Sequence, residues 1–118
     1  MRNALTIDQG EVELSNVRPG YNFFKAQRML DGRQQKKIGN NTWAIRNEDG
    51  SVSIRLHRTN ILIFYPDNTC KYNTGGWQSV TTKRRMNEYA PIPVYQQDWQ
   101  WYFWGGEKYE DGTVVRCM

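Results

Sequence analysis

Between residues 42 and 76, apolar and polar side chains alternate with a period of two, and short turn-forming groups interrupt the alternation. A strand returns to the same face every second residue, so this stretch is committed to extended structure. Residues 42–47 turn at Glu48-Asp49-Gly50 into residues 51–58, where Val52, Ile54 and Leu56 point one way and Ser53, Arg55 and His57 the other. Residues 61–65 are apolar on both faces and read as a central strand, reached through the connection at Thr59-Asn60. A Pro66-Asp67-Asn68 turn leads into residues 69–73, in which Cys70 and Tyr72 alternate with Lys71 and Asn73. The pattern predicts a four-strand antiparallel meander with one polar face.

The flanks differ. Phe23, Ala26, Met29 and Leu30 fall on one helical face, with Asn22 placed to cap the start and Gly32 to end it. Residues 33–41 read as a basic linker closing on the turn formers Gly39-Asn40-Asn41. A second helix is expected over residues 83–89, capped by Thr81 or Thr82 and stopped by Pro91 and Pro93. Residues 94–97 and 98–104 return to strand. Trp99, Trp101 and Phe103 face one side there, Gln100, Tyr102 and Trp104 the other, and both sides are expected to be largely covered. Residues 113–117 form the final strand, and residues 1–17, with Val12, Leu14 and Val17, an edge strand or a loosely attached arm. The fold class is α+β and β-rich: a single antiparallel sheet or small barrel of about six to seven strands with one or two short helices. At 118 residues, one domain spanning 1–118 with one core is expected.

Charge is unevenly spread. Residues 18–46 hold seven Lys/Arg against the single acid Asp31, while the first seventeen and last twenty-one residues are each net negative. Such concentration favours a polyanionic partner, although a net charge of +4 is equally compatible with a solvated surface. Cys70 and Cys117 are the only cysteines and have no metal-ligand spacing, so neither a metal nor a disulfide framework is implied. No apolar run reaches the roughly 18 residues of a membrane span, and the first residues lack a signal-peptide core. The expectation is a chain that is neither exported nor embedded, in a reducing cytoplasm.

The chemistry concentrates in two places. On the polar face, Arg55 and His57 would lie with Arg46, Lys71 and Asn73 as a cationic floor. Beside it, Gly75-Gly76 precedes the helix start at Thr81, Thr82, Lys83 and Arg85. Arginine forks, threonine hydroxyls and helix-start amides suit a phosphate, and Trp77 or Tyr102 could stack a base. No fixed phosphate motif is present. Lys83-Arg84-Arg85 equally fits an exposed helix face, and Gly75-Gly76 fits a plain tight turn better than a phosphate cradle. His57 is the only histidine. A metal-independent ribonuclease would have to use it as the acid, with Glu88 as base and Lys83 or Arg85 stabilising the phosphate.

The runs Lys37-Ile38-Gly39-Asn40-Asn41-Thr42, Leu56-His57-Arg58-Thr59-Asn60-Ile61 and Gly75-Gly76-Trp77, the last continuing to Thr81-Thr82-Lys83-Arg84-Arg85-Met86-Asn87, resemble a family of small tailed-bacteriophage proteins. The resemblance spans roughly residues 28–115; Ser79 stands where threonine is common, and the tryptophan cluster at 99–104 is heavier than usual. It implies a phage origin, hence the cytoplasm of an infected bacterium, and carries no mechanism. The polar members of its motifs are Asn41, Thr42, His57, Thr59, Thr81, Thr82, Lys83, Arg85 and Asn87. The resulting expectation is a non-enzymatic accessory protein without a cofactor. It would bind nucleic acid or a small, even cyclic, nucleotide and so counteract host defence. An inhibitor gripping a host protein and the ribonuclease are the alternatives, and strand edges with surplus aromatics suit a homodimer.

Overall fold

The computed structural model describes residues 16–118 and, before them, the backbone of two short strands, β1 (Thr6–Asp8) and β2 (Glu11–Glu13). The side-chain pattern expected of Val12 and Leu14 lies outside the described residues. The elements that follow are α1 (Phe23–Met29), β3 (Gln35–Gly39), β4 (Thr42–Arg46), β5 (Val52–Leu56), β6 (Thr59–Phe64) and β7 (Thr69–Tyr72). Then come α2 (Val80–Tyr89), β8 (Val94–Gln97), β9 (Gln100–Phe103) and β10 (Val114–Arg116). Six strands, in the order β10-β7-β6-β5-β4-β3, make an open antiparallel sheet, and β2 runs parallel along β10 with β1 outside it. β8 and β9 form a separate two-stranded sheet. The β-rich α+β class is therefore observed, and the predicted meander is its centre.

Register explains the core. Ala44, Ile54, Leu62 and Tyr72 are successive cross-strand partners, as are Val52, Phe64, Cys70 and Val115. All eight are buried on one face. Ala26 of α1 and Leu30 at its C-cap, Met86 of α2, and Trp101 and Phe103 of the β8–β9 hairpin cover that face. Tyr72 is central: its hydroxyl donates to the Ile92 carbonyl and accepts from the Ile92 amide, both at 2.9 Å. Its ring lies edge-on to Phe103 at 5.0 Å and to Tyr109 at 6.2 Å.

Four local expectations are corrected. The basic linker is strand β3, paired to β4 from Gln35↔Ile45 to Gly39↔Thr42. An edge strand needs only one partner, and its lysines discourage further pairing, so charge there does not argue against extended structure. α2 begins at Val80, not Lys83, because Ser79 supplies the cap: its hydroxyl accepts from the Thr82 amide at 3.1 Å. Arg46 pairs with Val52 and so belongs to the core-facing side, where it donates to the Gly50 carbonyl. Trp99 and Trp104, expected to be covered, are 91% and 59% exposed. Asp98 and Trp99 both adopt positive φ, which makes them the two-residue turn of the hairpin and puts Trp99 at its tip.

α1 follows its pattern. The Asn22 carboxamide accepts from the Lys25 amide at 3.0 Å, and the chain leaves the helix through Asp31 and Gly32 at positive φ. At the other helix, Arg18 places a cation over the last carbonyls, donating to Asn87 and Ala90.

Burial also sets a pH response. Desolvation raises the Cys70 thiol and the Tyr72 phenol well above their usual values, and pushes the Cys117 thiol up to about 12. A raised folded-state pKa means that the fold holds these protons more tightly than the open chain does. The associated stability is complete below the open-chain thiol value and declines once pH passes it. Thermal melts are therefore expected to give a constant midpoint near neutrality and a falling one above about pH 9; a midpoint rising there would contradict the burial.

Candidate functional site

A cavity of about 350 Å³ opens between the start of α2 and the β5–β6 turn. Leu56, His57, Arg58, Thr59, Ile61, Thr74, Trp77 and Thr82 line it. Its floor is apolar, since Leu56 and Ile61 are buried, and three threonines stand around that floor. Trp77, 71% exposed, forms one wall. Among the described residues, the lining has an arginine and a histidine but no carboxylate.

Local sequence builds each wall. β5 ends at Leu56, so His57 is not on a strand face as the alternation suggested. It occupies the turn at φ +56°, held by its amide donating to the Asn41 carbonyl at 2.9 Å. A bulge shifts the β5–β6 register between Ile54 and Arg55 and leaves Ile61 outside the pairing, between Asn60 and Leu62. Thr74 is fixed by Asp111, whose carboxylate accepts from its amide and its hydroxyl, each at 2.8 Å. Asp111 also accepts from the Tyr109 hydroxyl at 2.6 Å, and burial, followed by this bond to a carboxylate, raises the Tyr109 pKa. Gly75 is required by close approach: a Cβ there would meet the Thr59 side chain at 3.0 Å, and its φ is +65°.

The Gly75-Gly76 amides are not a phosphate cradle. They donate to Asn73 Oδ1 at 3.0 Å and Thr74 Oγ1 at 3.2 Å, which makes the segment a self-contained turn.

Of the twelve residues singled out from sequence, the cavity gathers His57, Thr59, Thr82 and Trp77. Asn41, Thr42 and Arg85 form an adjoining cluster. Arg85 donates to the Asn40 carbonyl at 3.4 Å, Thr42 Oγ1 donates to the same carbonyl at 2.6 Å, and Asn41 holds His57. Thr81 and Lys83 lie in the first turn of α2 and are not among the lining residues. Three residues go elsewhere. Arg55 lies on the opposite face of the sheet, bonded to Asn60 at 3.0 Å. Asn87 clamps α2 to β8 through both Val94 backbone groups at 2.8 Å, a structural role. Tyr102 stacks on Tyr95 on the outer face of the hairpin, because alternation turns Trp101 and Phe103 into the core.

Glu88, the base a ribonuclease would need, pairs with Arg85 at 3.0 Å and is not among the lining residues. Sequence reasoning missed Arg58 and Thr74. The signal for Arg58 was its neighbour: two residues between the ends of paired strands make a hairpin turn, which presents both side chains together. Among the described residues no group of three His, Cys, Asp or Glu gathers, and no helix is long and apolar enough to cross a membrane.

No curated protein and no solved structure matches the chain. The model of a phage protein family, described as Kyanoviridae Gp96 protein, matches residues 25–116, nearly the whole cavity-bearing fold, and the chain belongs to that family.

Proposed function

We propose that the cavity beside α2 binds a small nucleotide, and that the protein acts as a non-enzymatic phage accessory factor holding that nucleotide in the infected cell's cytoplasm. The observation that carries this reading is the composition of one half-enclosed space. A partly exposed indole, three threonines, a histidine and an arginine from three separate segments surround an apolar floor, without a carboxylate among the described lining residues. An exposed indole offers a stacking face for a base, and Arg58 offers a fork for phosphate oxygens. A volume of about 350 Å³ sits at the small end of ligand cavities and suits one nucleotide better than a chain of them. Binding without turnover is supported by the lack of a carboxylate beside His57 among the described lining residues.

Arg58→Ala and Trp77→Ala are each expected to weaken nucleotide binding by about 1–3 kcal/mol, with an unchanged circular dichroism spectrum. Calorimetric titration with a panel of mono- and cyclic nucleotides measures this, and native mass spectrometry of the purified protein tests for a retained ligand. A protein that retains nothing and ignores the panel sinks the reading. One observation favours a second, inhibition of a host protein: Trp99 and Trp104 present exposed indoles on the β8–β9 hairpin. A single host polypeptide co-purifying in place of any nucleotide would put that reading first.

A further inference from the structure

The sheet has a second face, and its register places a row of side chains there that the cavity does not use. Lys37 pairs with Trp43, Trp43 with Arg55, and Arg55 with Asn60, so the four lie side by side across β3, β4, β5 and β6. Strands are about 4.8 Å apart, which sets the two cations roughly 10 Å from each other with the indole between them. Trp43 is 36% exposed and Lys37 is exposed. The neighbouring row on the same face is Ile45, Ser53, Ile63 and Lys71, again from direct pairing. Both helices and the hairpin contribute their buried residues to the opposite face. Among the described residues neither helix nor the hairpin packs on this side of the sheet, and of the two rows only Ser53, bonded by the Asn47 side chain, is fully buried.

We propose that this face binds single-stranded nucleic acid, one base stacking on Trp43 while the flanking backbone phosphates meet Lys37 and Arg55. Charge selects the occupant. Lys37, Arg55 and Lys71 share the face and Lys37 belongs to the basic segment 18–46, whereas the acids Glu48 and Asp49 border only its β4–β5-turn end, where they line a hollow with Ser53, Asn60 and Ile63. A row that alternates cation, aromatic ring and cation matches a strand with exposed bases, since every base has a stacking face and every linkage a phosphate. A duplex buries its base faces and would leave Trp43 without a partner. Asn60 holds the Arg55 Nε at 3.0 Å, which fixes the guanidinium over the sheet and engages only one of its five donors.

The experiment is fluorescence anisotropy of a labelled oligothymidylate of about 12 nucleotides, a length within single-strand site sizes, titrated with the full chain at several salt concentrations. Wild type is expected to bind with affinity that falls as salt rises, and Trp43→Ala to weaken it by about tenfold or more. Lys37→Ala and Arg55→Ala are each expected to flatten the logarithmic salt slope by about 0.7, the contribution of one single-strand phosphate. Lys37 is exposed on the edge strand, so its variant reads the proposal even if Trp43→Ala fails to fold. Absence of binding, or binding indifferent to both Lys37→Ala and Arg55→Ala, overturns it. Saturating mononucleotide is expected to leave the oligonucleotide signal unchanged; displacement would place both ligands in one site and overturn a separate face. Oligonucleotide binding by a protein that ignores mononucleotides would remove the cavity proposal alone.

Discussion

Tyr72→Ala is expected to lower unfolding stability by about 3–5 kcal/mol, the range for truncating a buried aromatic ring. The ring is fully buried and shared by the main sheet and the elements packed on it, with Phe103 and Tyr109 at its edges. Its hydroxyl satisfies both backbone groups of Ile92, where the chain leaves α2 for β8. Domains of this size hold a net stability of about 5–15 kcal/mol, so the variant should be largely destabilised and partly unfolded in mild denaturant. Tyr72→Phe separates the two contributions: it keeps the ring and strands the Ile92 amide and carbonyl, at a cost of about 1–3 kcal/mol. Urea unfolding of the three proteins gives both numbers. A Tyr72→Ala midpoint equal to wild type would mean that the hairpin does not dock on the sheet through this residue.

Asp111→Ala should cost about 3 kcal/mol and weaken the cavity at the same time. One carboxylate accepts from the Thr74 amide, the Thr74 hydroxyl and the Tyr109 hydroxyl. The Thr74 carbonyl in turn accepts from the Trp77 amide at 3.0 Å, so the indole wall is hung from Asp111 at one remove. Nucleotide affinity is therefore expected to fall by about tenfold in a variant that replaces no lining residue, because an untethered wall must be ordered on binding. Asp111→Asn keeps an acceptor and should recover part of both losses. Full nucleotide affinity in Asp111→Ala would show that the 74–77 turn holds its shape without this anchor.

The meander was legible because a period of two survives any tertiary arrangement, and Val52, Ile54 and Leu56 did go to the core together. The sequence was less informative at its punctuation. His57 looked like the next alternating strand residue, yet the chain turned one residue earlier, and a left-handed histidine carries no compositional warning. β3 was hidden by its charge, since Lys36 and Lys37 suit an edge strand and a linker equally well. Convergence was harder still. Thr59, Thr82 and Trp77 meet only because a bulge in β6 and an acid 37 residues beyond Thr74 position their segments, and neither is visible from spacing. Arg55 and Asn87 matched the chemistry of the site by residue type, and register sent one through the sheet while backbone bonds consumed the other.

β3 to β7 succeed one another both along the chain and across the sheet, so each new pairing closes only a tight turn. β10 reaches β7 only after α2 and the whole β8–β9 hairpin have intervened. Assembly thus divides into a fast part of low contact order and a slow loop closure that must wait for it. Until that closure the β7 margin stays unsealed, and a ribosome-bound or partly folded chain is most prone to self-association there.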